Sequence, residues 1–217
     1  MSGAANRSRG ALKRIADDFL SRYRRRPAFW LIALIGAFGL AAAARTALQV
    51  TNGLTAEYFA NDRRAGAPTL RAITPEISTD RIMDQWRGSP PAVFSARWFG
   101  YLTVGRRGFY TFATSSDDGS SLSVDGTRVV DNGGVHGEET RTGRVWLDRG
   151  PHFVVLEYAQ SGGDYAMSWA WARDDRSLSA VPPWALSPGR VPYWKVMLAR
   201  ALDWIRLSTI WLFVLVS

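Results

Sequence analysis

Residues 94–132 read FSARWFGYLTVGRRGFYTFATSSDDGSSLSVDGTRVVDN, a stretch of short runs rich in Val, Thr, Tyr, Phe and Trp broken by Gly and Asp. In its centre Phe109, Thr111 and Ala113 alternate with Tyr110, Phe112 and Thr114, which suits a strand with two unlike faces. Asp125-Gly126, between SLSV and TRVVD, is a two-residue hairpin signal, because a type I′ turn requires positive φ at both positions.

Outward from this centre the same texture continues. GLTAEYF begins at Gly53, and GRVWLD, HFVVLEY and AMSWAWA carry it to Ala172. Eight or so such strands imply an antiparallel sandwich or barrel. No internal repeat of solenoid or propeller length is present.

The chain of 217 residues is long enough for one domain with a real core plus segments outside it. Its formal charge of +8 suggests nucleic acid only until it is divided. Residues 1–45 hold nine basic and two acidic groups; the remaining 172 hold 18 and 17. A near-neutral sandwich has no basic face to neutralise a run of phosphates, so nucleic acid is not an expected partner. Cysteine is absent, which removes disulfides, thiolate metal sites and cysteine nucleophiles together.

The excess charge sits beside an apolar run. From Leu12 to Tyr23 the apolar Leu12, Ile15, Phe19 and Tyr23 recur at helical spacing among charged residues, so residues 1–27 read as a basic amphipathic segment. Arg24, Arg25 and Arg26 then precede an uncharged stretch ending at Ala44. Residues 28–48 are expected to form a transmembrane helix, with Arg45 snorkelling to the interface. A cleaved signal peptide is the competing reading, but the charged region before the apolar run is too long for one. Because the basic residues precede the run, the N-terminus is expected in the cytoplasm and everything after residue 50 outside, on an inner or plasma membrane.

Past the sandwich, residues 176–193 (with VPPWALSPGRVP) read as a Pro-rich linker. From Trp194 to Arg206 apolar and charged residues fall on opposite helical faces, as in a helix lying in the membrane interface. Leu207 onward is wholly apolar, and residues 194–217 are therefore expected to be an interfacial helix and the start of a second membrane segment. Ala33, Ala37 and Ala41 make a small-xxx-small row that permits a membrane-protein partner, a pattern alanine-rich helices also show by chance.

Taken together, GLTAEYF, residues 94–132 and GRVWLDRGPHFVVLEYAQSGGDYAMSWAW resemble the protective-antigen module (PA-fourteen), a β-sandwich inserted in toxins, glycosidases, glycosyltransferases and adhesins. The resemblance implies a mainly β, jelly-roll-like antiparallel sandwich over residues 53–175, flanked by the two helices. In sugar-binding members a cis peptide between paired aspartates turns both carboxylates toward one Ca²⁺. It thereby implies Ca²⁺ at Asp117 and Asp118, with Asp164 of QSGGD as a further ligand, and all three as the carbohydrate site. Where the adhesins carry an asparagine in that second loop, this chain has Gly162, Gly163 and Asp164. Asn132, beside Asp131 and His136 on a loop able to approach the same edge, joins the metal candidates. From the residues alone, SSDDGS reads rather as an acidic turn whose aspartates bond their own backbone. His136 reads as a solvated loop histidine, Asp174-Asp175 as a solvated turn, and Trp98, Trp146, Trp169 and Trp171 as core or half-buried.

No catalytic arrangement stands out: there is no G-x-S-x-G elbow, P-loop or H-E-x-x-H, and His136 and His152 lack metal-ligand spacing. Nothing marks two of Glu57, Asp84, Glu138, Glu139 and Glu157 as facing one cleft. The function expected is a membrane-tethered extracytoplasmic module binding a carbohydrate or glycoconjugate with Ca²⁺. Two alternatives stay open: the N-terminal part of a polytopic membrane glycosyltransferase, and a purely structural interaction domain.

Overall fold

The computed structural model describes residues 27–174 and 176–216; the amphipathic segment Leu12–Tyr23 and Asp175 lie outside them. Val50–Leu198 form one compact unit, and residues 27–49 with 199–216 are the described part of another.

The larger unit is an antiparallel sandwich. Strands β1 (Leu54–Phe59), β2 (Leu70–Thr74), β3 (Phe94–Val104), β4 (Gly108–Asp117), β5 (Gly119–Val124), β6 (Thr127–Asn132), β7 (Glu139–Leu147), β8 (Gly150–Gln160), β9 (Ala166–Arg173), β10 (Ser179–Ala180) and β11 (Leu186–Ser187) form two sheets. One runs β2-β1-β3-β8-β5-β6 with β11 added beside β3; the other runs β10-β9-β4-β7. Alternation puts Phe94, Ala96, Trp98 and Leu102 of β3, Val154, Leu156 and Tyr158 of β8, and Tyr110 and Phe112 of β4 between the sheets. Each large side chain buried there contributes on the order of 1.5–3 kcal/mol. Trp98 and Trp169 belong to this core, whereas Trp146 is 52% exposed on the outer face of the smaller sheet. Asp125 and Gly126 both have positive φ, as the hairpin reading requires. A short helix, α2 (Thr79–Trp86), is capped by Ser78, whose Oγ accepts the Arg81 N–H at 3.3 Å. It seats Trp86 against Tyr58 and Phe94.

The Pro-rich stretch is not a free linker. β10 pairs with β9, β11 pairs with β3, and Val181, Ala185 and Leu186 are buried. Two-residue strands are too short to carry a periodicity, so composition alone conceals them.

Register fixes which end is which. Val104 faces Gly150 and Gly108 faces Leu147 at one end; Phe94 faces Gln160 and Ser116 faces Glu139 at the other. The chain enters beside the first end, where the Gly53 N–H bonds the Leu186 carbonyl, and leaves there, where Tyr193 lies under Arg149.

In the other unit, α1 (Pro27–Ala47) is long and apolar enough to cross a membrane. Its Ile32, Ile35 and Leu40 are 62–75% exposed rather than packed into a core. The last turns of α3 (Tyr193–Val216) also expose Leu207, Ile210 and Trp211. Arg45 bonds Asp203 at 3.2 Å, and the Arg206 guanidinium lies 5.4 Å from the Phe38 ring.

Candidate functional site

At the end of the sandwich away from chain entry and exit, β4 passes into β5 through Asp117-Asp118. The polypeptide reverses and changes sheet within three residues, and the peptide bond between the aspartates is cis. Gly119 is required next: a Cβ there would stand 2.6 Å from the Gly134 carbonyl oxygen. The loop 133–138 therefore closes directly over the dipeptide.

Asp118 is almost buried, at 4% exposure, and both its carboxylate oxygens are occupied. Oδ1 accepts the His136 N–H at 3.0 Å and Oδ2 the Ser161 N–H at 2.8 Å. These bonds tie together the β6–β7 and β8–β9 loops. The Asp118 N–H donates to Gln160 Oε1 at 2.9 Å. Gln160 Nε2 in turn donates to the carbonyls of Gly162 at 2.8 Å and Asp164 at 2.6 Å. The Tyr158 hydroxyl bonds the Asp117 carbonyl and lies 2.7 Å from Gln160 Oε1. Its pKa is raised, first by burial and then by Asp117 and Asp118.

Beneath the dipeptide is a buried hydroxyl network. Ser116 Oγ and Ser120 Oγ are 2.8 Å apart, and Ser120 donates to Thr114 Oγ1 at 3.0 Å. Asn132 Nδ2 donates to Ser116 Oγ at 3.0 Å and to the Glu139 carbonyl at 2.9 Å.

Asp117 is left as the acid of the pair with an open face. Burial, then Asp118, then Asp164 hold its pKa above the ordinary 3.8, partly offset by His136. This is the signature of carboxylates that share one field without a counter-charge sufficient to neutralise them. The His136 ring lies between two carbonyls, Nδ1 at 2.8 Å from Gly137 and Nε2 at 3.2 Å from Asn132. Only the doubly protonated ring donates to both, and its pKa is raised, chiefly by the Gly137 carbonyl.

The structure thus brings Asp117 and Asp118 together and lets Asp164 act on Asp117 electrostatically. Among the described residues no three His, Cys, Asp or Glu side chains stand together as a metal-holding group. The donor chemistry nevertheless fits a hard cation. The carboxylate oxygens of Asp117 and Asp118 retain lone pairs, and Asn132 Oδ1 is buried with no hydrogen-bond donor among the described residues. Gln160, Tyr158, Ser161 and the His136 backbone, which hold the aspartates, are not among the sequence candidates. Gln160 does carry a signal, a polar residue at an inward position after Val154, Leu156 and Tyr158.

A second polar feature lies on the outer face of the larger sheet. One register row reads Arg71, Glu57, Arg97, Glu157, Ser121, Asp131 across six strands. Buried Glu57 accepts from Arg71 at 2.5 Å and Arg97 at 2.7 Å. Burial pushes its pKa upward, but the two arginines outweigh this and the net shift is down. Glu57 is thereby a structural ion pair.

Residues 51–184 match the model of the PA14 domain family. Anti-sigma-I factor RsgI3 of Acetivibrio thermocellus is 27% identical over 145 residues, covering 65% of this chain and 22% of that protein. The chain therefore spans about a fifth of the length of that curated relative. Among solved structures, the PA14 domain of the antifreeze protein MpAFP superposes with a TM-score of 0.58 at 15% identity, covering 66% of this chain and 94% of that one. The PA14 sugar-binding domain from an RTX adhesin gives 0.56 at 20%, covering 64% and 99%.

Proposed function

Because the chain belongs to the PA14 domain family, we propose that its sandwich is a carbohydrate-binding module, tethered to a membrane by α1, whose ligand is engaged at the Asp117-Asp118 end with Ca²⁺. The observation that carries this reading is the asymmetry of the two acids. Asp118 is fixed by two backbone N–H groups, while Asp117 is raised in pKa beside it and unneutralised. A cation would relieve that repulsion.

Asp117 and Asp118 would hold the ion, with Asp164 and Asn132 supplying further oxygens toward the six to eight that Ca²⁺ takes. When bound, the ion supplies a Lewis-acidic contact for sugar hydroxyls. The protein's own residues do the rest: Gln160 fixes the 161–165 loop, and the hydroxyl network beneath resists rotation of the pair. The site lies at the end of the sandwich opposite chain entry and exit. That the similar PA14 domain of the RTX adhesin is a sugar-binding domain supports carbohydrate as the ligand class.

The test is a glycan-array screen of the full chain in detergent, with Ca²⁺ and with chelator. Binding that chelator abolishes and Asp117→Asn lacks is expected; glycan binding unchanged by both would refute the ion-dependent site. A second reading, a sensor domain of a larger signalling protein, is favoured by the similarity to Anti-sigma-I factor RsgI3. It uses the same site and differs in what the cytoplasmic side does.

A further inference from the structure

The end of the sandwich where the chain enters and leaves carries a surface the carbohydrate reading does not use. The β3–β4 turn contributes Arg106 and Arg107, and the β7–β8 turn contributes Asp148 and Arg149. Register forces the turns together, because Val104 faces Gly150 and Gly108 faces Leu147. Together they line a shallow depression of about 500 Å³. Three guanidiniums thus meet one carboxylate, and none of the three has an ion-pair partner among the described residues. All four side chains are exposed.

One register pair further in, on the outer face of the smaller sheet, Phe109 and Trp146 are 43% and 52% exposed and pack edge to face at 5.1 Å. The Arg144 guanidinium lies 4.4 Å from the Phe109 ring and Arg149 lies over Tyr193 at 4.9 Å. Phe109 and Trp146 nevertheless stay about half exposed beside Arg106, Arg107 and Arg149, and exposed apolar surface rimmed by charge marks an interaction site. Arginines with exposed Trp and Phe are the residues that settle at the headgroup level of a bilayer.

We propose that this end of the sandwich docks on anionic phospholipid headgroups, with Arg106, Arg107 and Arg149 on the phosphates and Phe109 and Trp146 at the interface. The proposal rests on the tethering part of the proposed function. It adds an orientation: the docked module holds the Asp117-Asp118 end away from the bilayer. Anionic lipid is favoured over a soluble anion by the aromatic pair, which a small ion leaves bare, and over a protein by the excess of three guanidiniums over one carboxylate. The depression is shallow and open, the shape of a docking face.

The chain has no cysteine, so single labels can be placed without background. A fluorophore on Asp148→Cys reports the basic end, and one on Ala92→Cys, just before β3, reports the opposite end. The full chain is reconstituted in vesicles of phosphatidylcholine with or without phosphatidylglycerol, each carrying headgroup-quencher lipid. Quenching at position 148 is expected in anionic vesicles, with little at position 92. Each Arg→Gln should lower the ratio of docked to undocked module about fivefold, and raised salt should weaken docking further.

The proposal is overturned if the probe at 148 is no more quenched in anionic than in neutral vesicles. It is also overturned if the Arg106→Gln, Arg107→Gln, Arg149→Gln variant docks as before, or if the probe at 92 is quenched equally. Release by millimolar glycerol phosphate would reassign the depression to a soluble anion. Flotation keeps the two readings apart. A chain that floats with neutral vesicles but shows no quenching keeps its tether and loses the docking face. One that floats only with anionic vesicles and is still quenched at position 148 loses the tether and keeps the face. Flotation with anionic vesicles without that quenching reflects the basic residues 1–27 and overturns the docking face.

Discussion

Replacing Gln160 with leucine should damage the candidate site from below without touching either aspartate. Gln160 is 1% exposed, and its amide makes four bonds in the site: from the Asp118 N–H and the Tyr158 hydroxyl, and to the carbonyls of Gly162 and Asp164. Leucine fills most of the volume but leaves the Asp118 N–H without an acceptor, at a cost of about 1–3 kcal/mol for a buried donor. Gly162 and Asp164 are exposed, so their carbonyls turn to water and add little. A total of about 2 kcal/mol corresponds to a fall in melting midpoint of roughly 4–8 °C for a unit of this size. The assay is thermal unfolding of the 50–198 fragment followed by near-ultraviolet circular dichroism, which reports the core tryptophans, with and without Ca²⁺. Gln160→Glu is the informative companion. It keeps an acceptor for Asp118, loses both donors to the loop, and sets another carboxylate beside the pair. It should therefore be worse than leucine at neutral pH. A leucine variant melting within about 1 °C of the parent, with its calcium response intact, would refute the clamp.

Asp118→Asn should destabilise the sandwich even without an ion, because its amide nitrogen would face the His136 or the Ser161 N–H; melting in chelator reads this directly. Asp117→Asn should leave chelator melting equal or higher and abolish the rise with Ca²⁺. The folded state holds the Asp117 proton more readily than the unfolded chain, so the strain of that acid is present at neutral pH and is relieved as pH falls through its raised pKa. Calcium affinity should weaken over the same interval, as titration at stepped pH will show. A fragment ending at residue 180 should aggregate where 50–198 is monomeric, since the shorter one lacks the buried Val181, Ala185 and Leu186; size-exclusion chromatography separates the cases.

The strands β1 and β3 to β9 were legible because each carries its own evidence, whereas β2 (Leu70–Thr74) was not among the runs read. Phe112 between Thr111 and Ala113 declares a two-faced strand, and Asp125-Gly126 declares the hairpin after it. The row Arg71-Glu57-Arg97-Glu157 was not legible, since register between strands distant in sequence leaves no local trace. Glu57 consequently read as an unplaced carboxylate when it is a buried, doubly paired one. The segment after residue 175 misled in the other direction: proline content signals irregular chain, yet two residues suffice to extend an existing edge. At the site, the paired aspartates stood out only through the family resemblance, since SSDDGS by itself reads as an acidic turn. The groups holding them were not legible, because two of the contacts to Asp118 come from backbone N–H groups of His136 and Ser161. Backbone donors are present everywhere along a sequence and are selected only by the fold.

That choice of partners bears on how a ligand would be felt. Asp117 closes the last register pair of β4 with Ala166 in the smaller sheet, and Gly119 opens β5 against Ala159 in the larger. Asp118, between them, is held from loops that themselves cross from one sheet to the other, β6 to β7 and β8 to β9. A ligand that tightens Asp118 therefore acts on connections between the sheets rather than on one mobile loop. Under linkage, stabilisation by binding appears in whatever unit must open for the site to be lost. Here that unit is the sandwich itself, because separating the sheets breaks Asp118 from both loops. Calcium should consequently raise hydrogen-exchange protection in the central strands β3 and β8 as much as in residues 133–138 and 161–165. Protection confined to those loops would show that they open independently and that Asp118 does not couple the two sheets.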